Sequence, residues 1–137
     1  MTELSFPKGF LWGTATAAHQ IEGNNTNSDW WRHEQLSGAV AEPSGDACDS
    51  FHLYEHDLDI VASLGLNSYR FSIEWARLEP AEGQFSQATF NHYRKVLEAC
   101  HARNLIPVVT LHHFTLPLWV ADAGGFESPM IATWLGR

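Results

Sequence analysis

The chain has 137 residues, of which 45% are hydrophobic and 18% charged, enough apolar surface to bury a core and too much for a disordered tail. Eight Lys+Arg against sixteen Asp+Glu leave a formal net charge of -8, which argues against nucleic-acid and anionic-membrane partners, since both need clustered cations. No apolar run approaches the roughly 20 residues of a membrane-spanning helix.

In chain order, Met1-Thr2-Glu3-Leu4-Ser5 carries neither the basic nor the apolar region of a leader peptide, so a reducing, cytoplasmic location is expected. Phe10 to Ala18 is an apolar, small-residue run that reads as a buried strand. It opens into Asn24–Asp29, followed by Glu42-Pro43-Ser44-Gly45-Asp46, two stretches rich in turn residues. Loops this long inside a compact unit tend to be functional. From Asp49 the spacing becomes helical, with Tyr54, Leu58, Val61 and Ala62 on one face and Gly65 placed for a left-handed cap. Leu66 to Trp75 reads as a strand in which Phe71 and Ile73 alternate with Arg70, Ser72 and Glu74.

Turn signals follow at Glu79-Pro80 and Glu82-Gly83. Ser86 is placed to cap a helix running to Arg103, with Phe90, Tyr93, Val96, Leu97 and Cys100 inward and Asn104 in the left-handed position after it. Leu105–Leu111 is apolar throughout, as in a parallel strand buried on both sides. Met130–Leu135 begins a further helix.

Cys48 and Cys100 form no CxxC pair and are expected as free, packing thiols. Of the eight histidines, only His52…His56 and His112-His113 are close in sequence, without a surrounding ligand set, so no metal is expected. Six tryptophans are scattered along the chain, a composition that favours core packing over platforms for sugar rings or other flat ligands.

Repeated strand–helix units point to a parallel sheet with helices outside. No GxGxxG or GxxxxGK[ST] follows a strand, so nucleotide binding through such loops is unsupported. The polar set Arg70, Ser72 and Glu74 fits a barrel interior better than a doubly wound sheet. Three units make about three-eighths of a barrel that usually needs ~250 residues, so the expected fold is α/β: the N-terminal three βα units of a (β/α)8 barrel, with residues 1–137 forming one part of a single domain.

Three stretches carry a family resemblance. Phe10-Leu11-Trp12-Gly13-Thr14-Ala15-Thr16-Ala17-Ala18-His19-Gln20-Ile21-Glu22-Gly23 closely resembles the N-terminal signature of glycoside hydrolase family 1, the β-glucosidases and β-galactosidases. Tyr69-Arg70-Phe71-Ser72-Ile73-Glu74-Trp75-Ala76-Arg77 is similar to its second-strand motif, and Thr110-Leu111-His112-His113-Phe114-Thr115-Leu116-Pro117 to its third. The resemblance implies a retaining β-glycosidase without metal or organic cofactor. Gln20 and His113 would then bind the hydroxyls of the non-reducing sugar, and Arg70 would support the ionised nucleophile. From the residues alone, Gln20 also suits a loop-satisfying amide, His113 a packed strand-end histidine, and Arg70 an ion pair with Glu74.

Phe114 stands where the family commonly has Trp, an aromatic in either case and a candidate sugar contact. Retaining hydrolysis needs two carboxylates about 5–5.5 Å apart. The family carries them in Asn-Glu-Pro and Glu-Asn-Gly, and neither tripeptide occurs in the chain. No catalytic residue is therefore assigned; Glu74 lacks a matching second carboxylate, and Glu22 receives no acid/base role. The expected partners are a β-glycoside and either the remaining barrel units or a second copy joined through exposed sheet edges. The competing expectations are a non-catalytic carbohydrate-binding or assembly piece, or a natural, engineered or proteolytic piece with no function of its own.

Overall fold

A computed structural model of the chain describes residues 5–137. Met1–Leu4, part of the stretch read as lacking a leader, lie outside the described residues. Strands β1 (Gly13–Ala15), β2 (Ser68–Ser72) and β3 (Ile106–Thr110) form one parallel sheet in the order β1-β2-β3. In register, Ala15, Arg70 and Val108 lie side by side, with Thr110 opposite Ser72. Parallel pairing of successive strands requires long crossovers. The first holds α1 (Ala18–Ile21), α2 (Asp29–Glu34) and α3 (Ser50–Ser63); the second holds α4 (Trp75–Leu78) and α5 (Gln87–Ala102). After β3 come α6 (Leu118–Asp122), a 3-10 turn (Gly125–Glu127) and α7 (Ile131–Leu135). This is the expected arrangement of three βα units, an open section of a (β/α)8 barrel.

The sheet has one covered face. Tyr69 and Phe71 of β2 pack on Leu58 and Val61 of α3, on Tyr93, Val96 and Cys100 of α5, and on Leu105, with Val109 alongside. Each large apolar side chain so buried contributes about 1.5–3 kcal/mol. The alternate residues Ser68, Arg70 and Ser72 turn to the opposite face. The helix ends follow their local chemistry. Ser86 Oγ accepts from Thr89 N at 3.2 Å, and Gly65 and Asn104 take φ of +74° and +57° after their helices.

Four expectations need correction. The first strand spans only three residues and is exposed, because no second layer covers it among the described residues. β3 is not buried on both sides: Ile106 and Val108 are 50% and 43% exposed, on the face that carries Arg70 and away from the helices. Phe90 lies on the solvent side of α5 at 44% exposure. β2 ends at Ser72, so Glu74 does not continue the polar face; it caps α4 instead, accepting from Ala76 N at 3.2 Å. Cys48 and Cys100 are unbridged thiols, the first exposed and the second buried.

Candidate functional site

The loops leaving the C-terminal ends of all three strands meet. Two bonds pin the first loop over β2: Thr16 N donates to the Arg70 carbonyl at 2.9 Å, and Ala18 N to Ser72 Oγ at 2.7 Å. The second bond supplies α1 with a cap that its own Ala17 cannot provide. Gly23 closes the loop with φ +77° where its backbone passes Asp46; a Cβ there would stand 2.1 Å from the Asp46 carbonyl oxygen.

α1 presents two neighbouring polar residues differently. Gln20 is exposed, whereas His19 is buried with both ring nitrogens engaged. Asn25 Nδ2 lies 3.2 Å from His19 Nδ1 and donates to it, so the ring proton belongs on Nε2, which donates to Glu34 Oε1 at 3.0 Å. Glu34 Oε2 accepts from the amide and hydroxyl of Ser44 at 3.1 and 2.7 Å. Burial pushes the Glu34 carboxyl up, but the bonds from His19 and Ser44 outweigh it and hold it below its ordinary range.

From the end of β3, His113 is exposed and Phe114 is half-buried. The Phe114 ring meets His113, Trp30 and His19 edge-on at centroid separations of 5.4, 5.5 and 5.7 Å. Arg70 is half-buried in mid-sheet; its guanidinium lies 3.4 Å from the Thr16 carbonyl and makes no pair with Glu74.

Beneath these loops runs a buried polar chain. The Tyr93 hydroxyl donates to Glu22 Oε1 at 2.9 Å and accepts from Glu74 N at 2.8 Å. Arg77 Nε stands 3.1 Å from Glu22 Oε2. Thr115, just past β3, bonds both Glu74 oxygens at 2.9 and 3.1 Å. Burial raises the Glu74 carboxyl to about 7, against the opposing pull of the Thr115 and Ala76 bonds. Burial also raises Glu22, with Arg77 as the main counterweight. Both carboxyls are engaged in joining loops, so neither is free to attack a substrate.

Of the residues singled out in the sequence, the structure brings His113 and Phe114 into contact and sets Gln20 next to the ring that Phe114 touches. Arg70 sits lower, against the first loop. Sequence reading missed His19, Asn25, Glu34 and the Glu22–Tyr93–Glu74–Thr115 chain. The last joins residues 71 and 41 positions apart, which no local pattern encodes. The capping serine of α2, Ser28, whose Oγ accepts from Trp31 N, was a readable signal. Among the described residues no three His, Cys, Asp or Glu side chains gather as metal ligands, and no helix is long and apolar enough to cross a membrane.

A sequence model described as Glycosyl hydrolase family 1 matches residues 2–135. Beta-glucosidase A of Acetivibrio thermocellus is 38% identical over 136 residues, covering 93% of the chain and 30% of its own length. The cytosolic beta-glucosidase of Homo sapiens is 37% identical over 138 residues, covering 93% of the chain and 29% of its own length. The solved beta-glycosidase from Pyrococcus horikoshii is 49% identical with a TM-score of 0.85, covering 91% of the chain and 29% of its own. The chain therefore spans just under a third of the length of these relatives.

Proposed function

Because the chain belongs to glycosyl hydrolase family 1, we propose that it supplies the glycone-binding part of a retaining β-glycosidase acting on terminal β-D-glycosidic bonds, with glucosides as the leading substrates. What supports this reading is the contact between the first and third strand loops, in which the ring of His19, the chain neighbour of exposed Gln20, meets Phe114, the chain neighbour of exposed His113. An exposed amide and an exposed imidazole offer both donors and acceptors, as vicinal sugar hydroxyls require, and the flat face of an aromatic ring such as Phe114 suits the apolar C–H face of a pyranose. Arg70 is the proposed support of an ionised nucleophile. The names of the relatives support glucosides as substrates, and the human one supports a cytoplasmic setting.

Hydrolysis itself belongs to the assembled barrel. The acid/base and the nucleophile lie in Asn-Glu-Pro and Glu-Asn-Gly motifs that these 137 residues do not contain. The partners are a β-glycoside and the remaining barrel units. In the assembled enzyme, Gln20→Ala and His113→Ala each lower kcat/KM by about 10²-fold, with kcat falling as well as KM rising, because hydroxyl contacts tighten at the transition state. Wild-type constants in both variants on several β-glycosides would show the two residues to be structural. The 137-residue chain alone turns over no nitrophenyl β-glucoside; turnover that survives repurification and vanishes in Glu74→Gln would reassign the chemistry to this segment.

A further inference from the structure

We infer that His19 is a positioning residue for sugar recognition, locking the Gln20 loop to the His113–Phe114 loop through its ring. The inference rests on the glycone reading of Gln20 and His113 and assigns the part that holds them in mutual register. Three observations carry it. His19 is only 4% exposed, although it immediately precedes exposed Gln20 on α1, so its ring points into the protein while its neighbour points out. Both ring nitrogens are bonded, to Asn25 at 3.2 Å and to Glu34 at 3.0 Å, which leaves the imidazole neither rotational freedom nor a proton to offer a substrate. Its ring also meets Phe114 at a near-perpendicular angle, 5.7 Å between centroids, and Phe114 is covalently next to His113.

The lock extends outward. Glu34 sits on α2 and is itself tied to the amide and hydroxyl of Ser44, so the ring is referenced to α2 and to the Ser44 loop as well as to its own helix. Binding energy from hydroxyl contacts falls steeply with misplacement, so a ring that sets the spacing of two loops controls how many hydroxyls are met at once.

The test uses the assembled enzyme and paired substrates, a nitrophenyl β-glucoside and its monodeoxy analogues, which differ by single hydroxyls. The readout is the ratio of kcat/KM between parent and deoxy sugars. His19→Ala lowers that ratio about tenfold, by the loss of aligned hydroxyl contacts. Glu34→Ala reproduces the loss, and the double variant is no worse than either single one, since both break the same lock. Glu34→Gln keeps an acceptor oxygen for His19 Nε2 and retains the wild-type ratio within about twofold.

Equal losses on parent and deoxy sugars in His19→Ala, or additive effects in the double variant, would reduce His19 to a stabilising residue and overturn the inference. Should His19→Ala fail to fold, Glu34→Ala against Glu34→Gln decides the same question. Gln20→Ala and His113→Ala, run in parallel, separate the two readings. If they collapse the ratio while His19→Ala does not, only the positioning role fails. If they leave it intact, the glycone assignment fails.

Discussion

Glu74 is 1% exposed, bonded to Thr115 and to the start of α4, and its carboxyl is raised by burial from the ordinary 4.5 to about 7. A group that holds its proton more tightly when folded contributes most below its unfolded pKa and loses that contribution as pH rises through the folded value. Between pH 4.5 and about 7 the wild type therefore loses stability relative to Glu74→Gln, on the order of 2–3 kcal/mol over the window. His92 acts the other way: burial, then Arg77, depresses it to about 4, so the folded protein loses stability as pH falls toward that value. The wild-type minus variant difference in denaturation free energy, followed from pH 4 to 8, isolates the Glu74 contribution; a flat difference would mean that the carboxyl titrates normally. At the same scale the two thiols part. Cys48 is exposed, while Cys100 is wholly buried and raised by burial, so a thiol reagent labels Cys48 alone in the folded protein and both after denaturation.

At the scale of elements, each crossover ends in one residue of left-handed backbone, Gly65 after α3 and Asn104 after α5. Asn carries a small steric cost at φ +57° that glycine does not, and the Leu105 amide behind it already bonds the Cys100 carbonyl at 3.0 Å. Asn104→Gly accordingly changes stability by less than about 1 kcal/mol, in the stabilising direction, read as a shift of the urea midpoint. Gly23 is the opposite case. Its φ of +77° and the Asp46 carbonyl 2.1 Å from any added Cβ make Gly23→Ala destabilising by about 2–4 kcal/mol, because backbone must move to admit the methyl. The loop it displaces carries Gln20, so under the proposed glycone role of that residue the expected outcome in the assembled enzyme is a loss of sugar affinity alongside the loss of stability.

At the scale of the whole molecule, the sheet is covered on one face and its outer edges are unpaired among the described residues. Ile106 and Val108 are about half exposed and Leu111 is 74% exposed, all on or beside β3. An open parallel edge offers unpaired amides and carbonyls next to apolar surface that costs about 25 cal/mol per Å² to leave wet. The expected outcome for the 137-residue chain by itself is therefore either self-association through those edges or a requirement for a chain carrying the other barrel units. Sedimentation at micromolar concentration measures this directly. A monodisperse monomer with one cooperative thermal transition would make the three-unit sheet an autonomous fold.

The sequence by itself determined what neighbours along the chain decide. Helical spacing placed α3 and α5, Gly65 and Asn104 ended them, Ser86 capped α5, and the alternation of Phe71 with Arg70 and Ser72 set which side of β2 meets the helices. The three strand motifs carried the family and pointed to Gln20, Arg70, His113 and Phe114. These are local properties, set by dihedral preference and by periods of 3.6 and 2 residues. Only the tertiary structure decided that Glu74 leaves the strand to cap α4, that Ile106, Val108 and Phe90 face outward, and that His19 turns inward to Glu34 and Phe114. Burial depends on which layers cover a face, and hydrogen-bond partners 15 to 71 residues apart meet only when strands pair in register. The contacts of His19 with Glu34 and Phe114 are of that second kind, since the histidine, the carboxylate and the phenylalanine come from three separate stretches of chain.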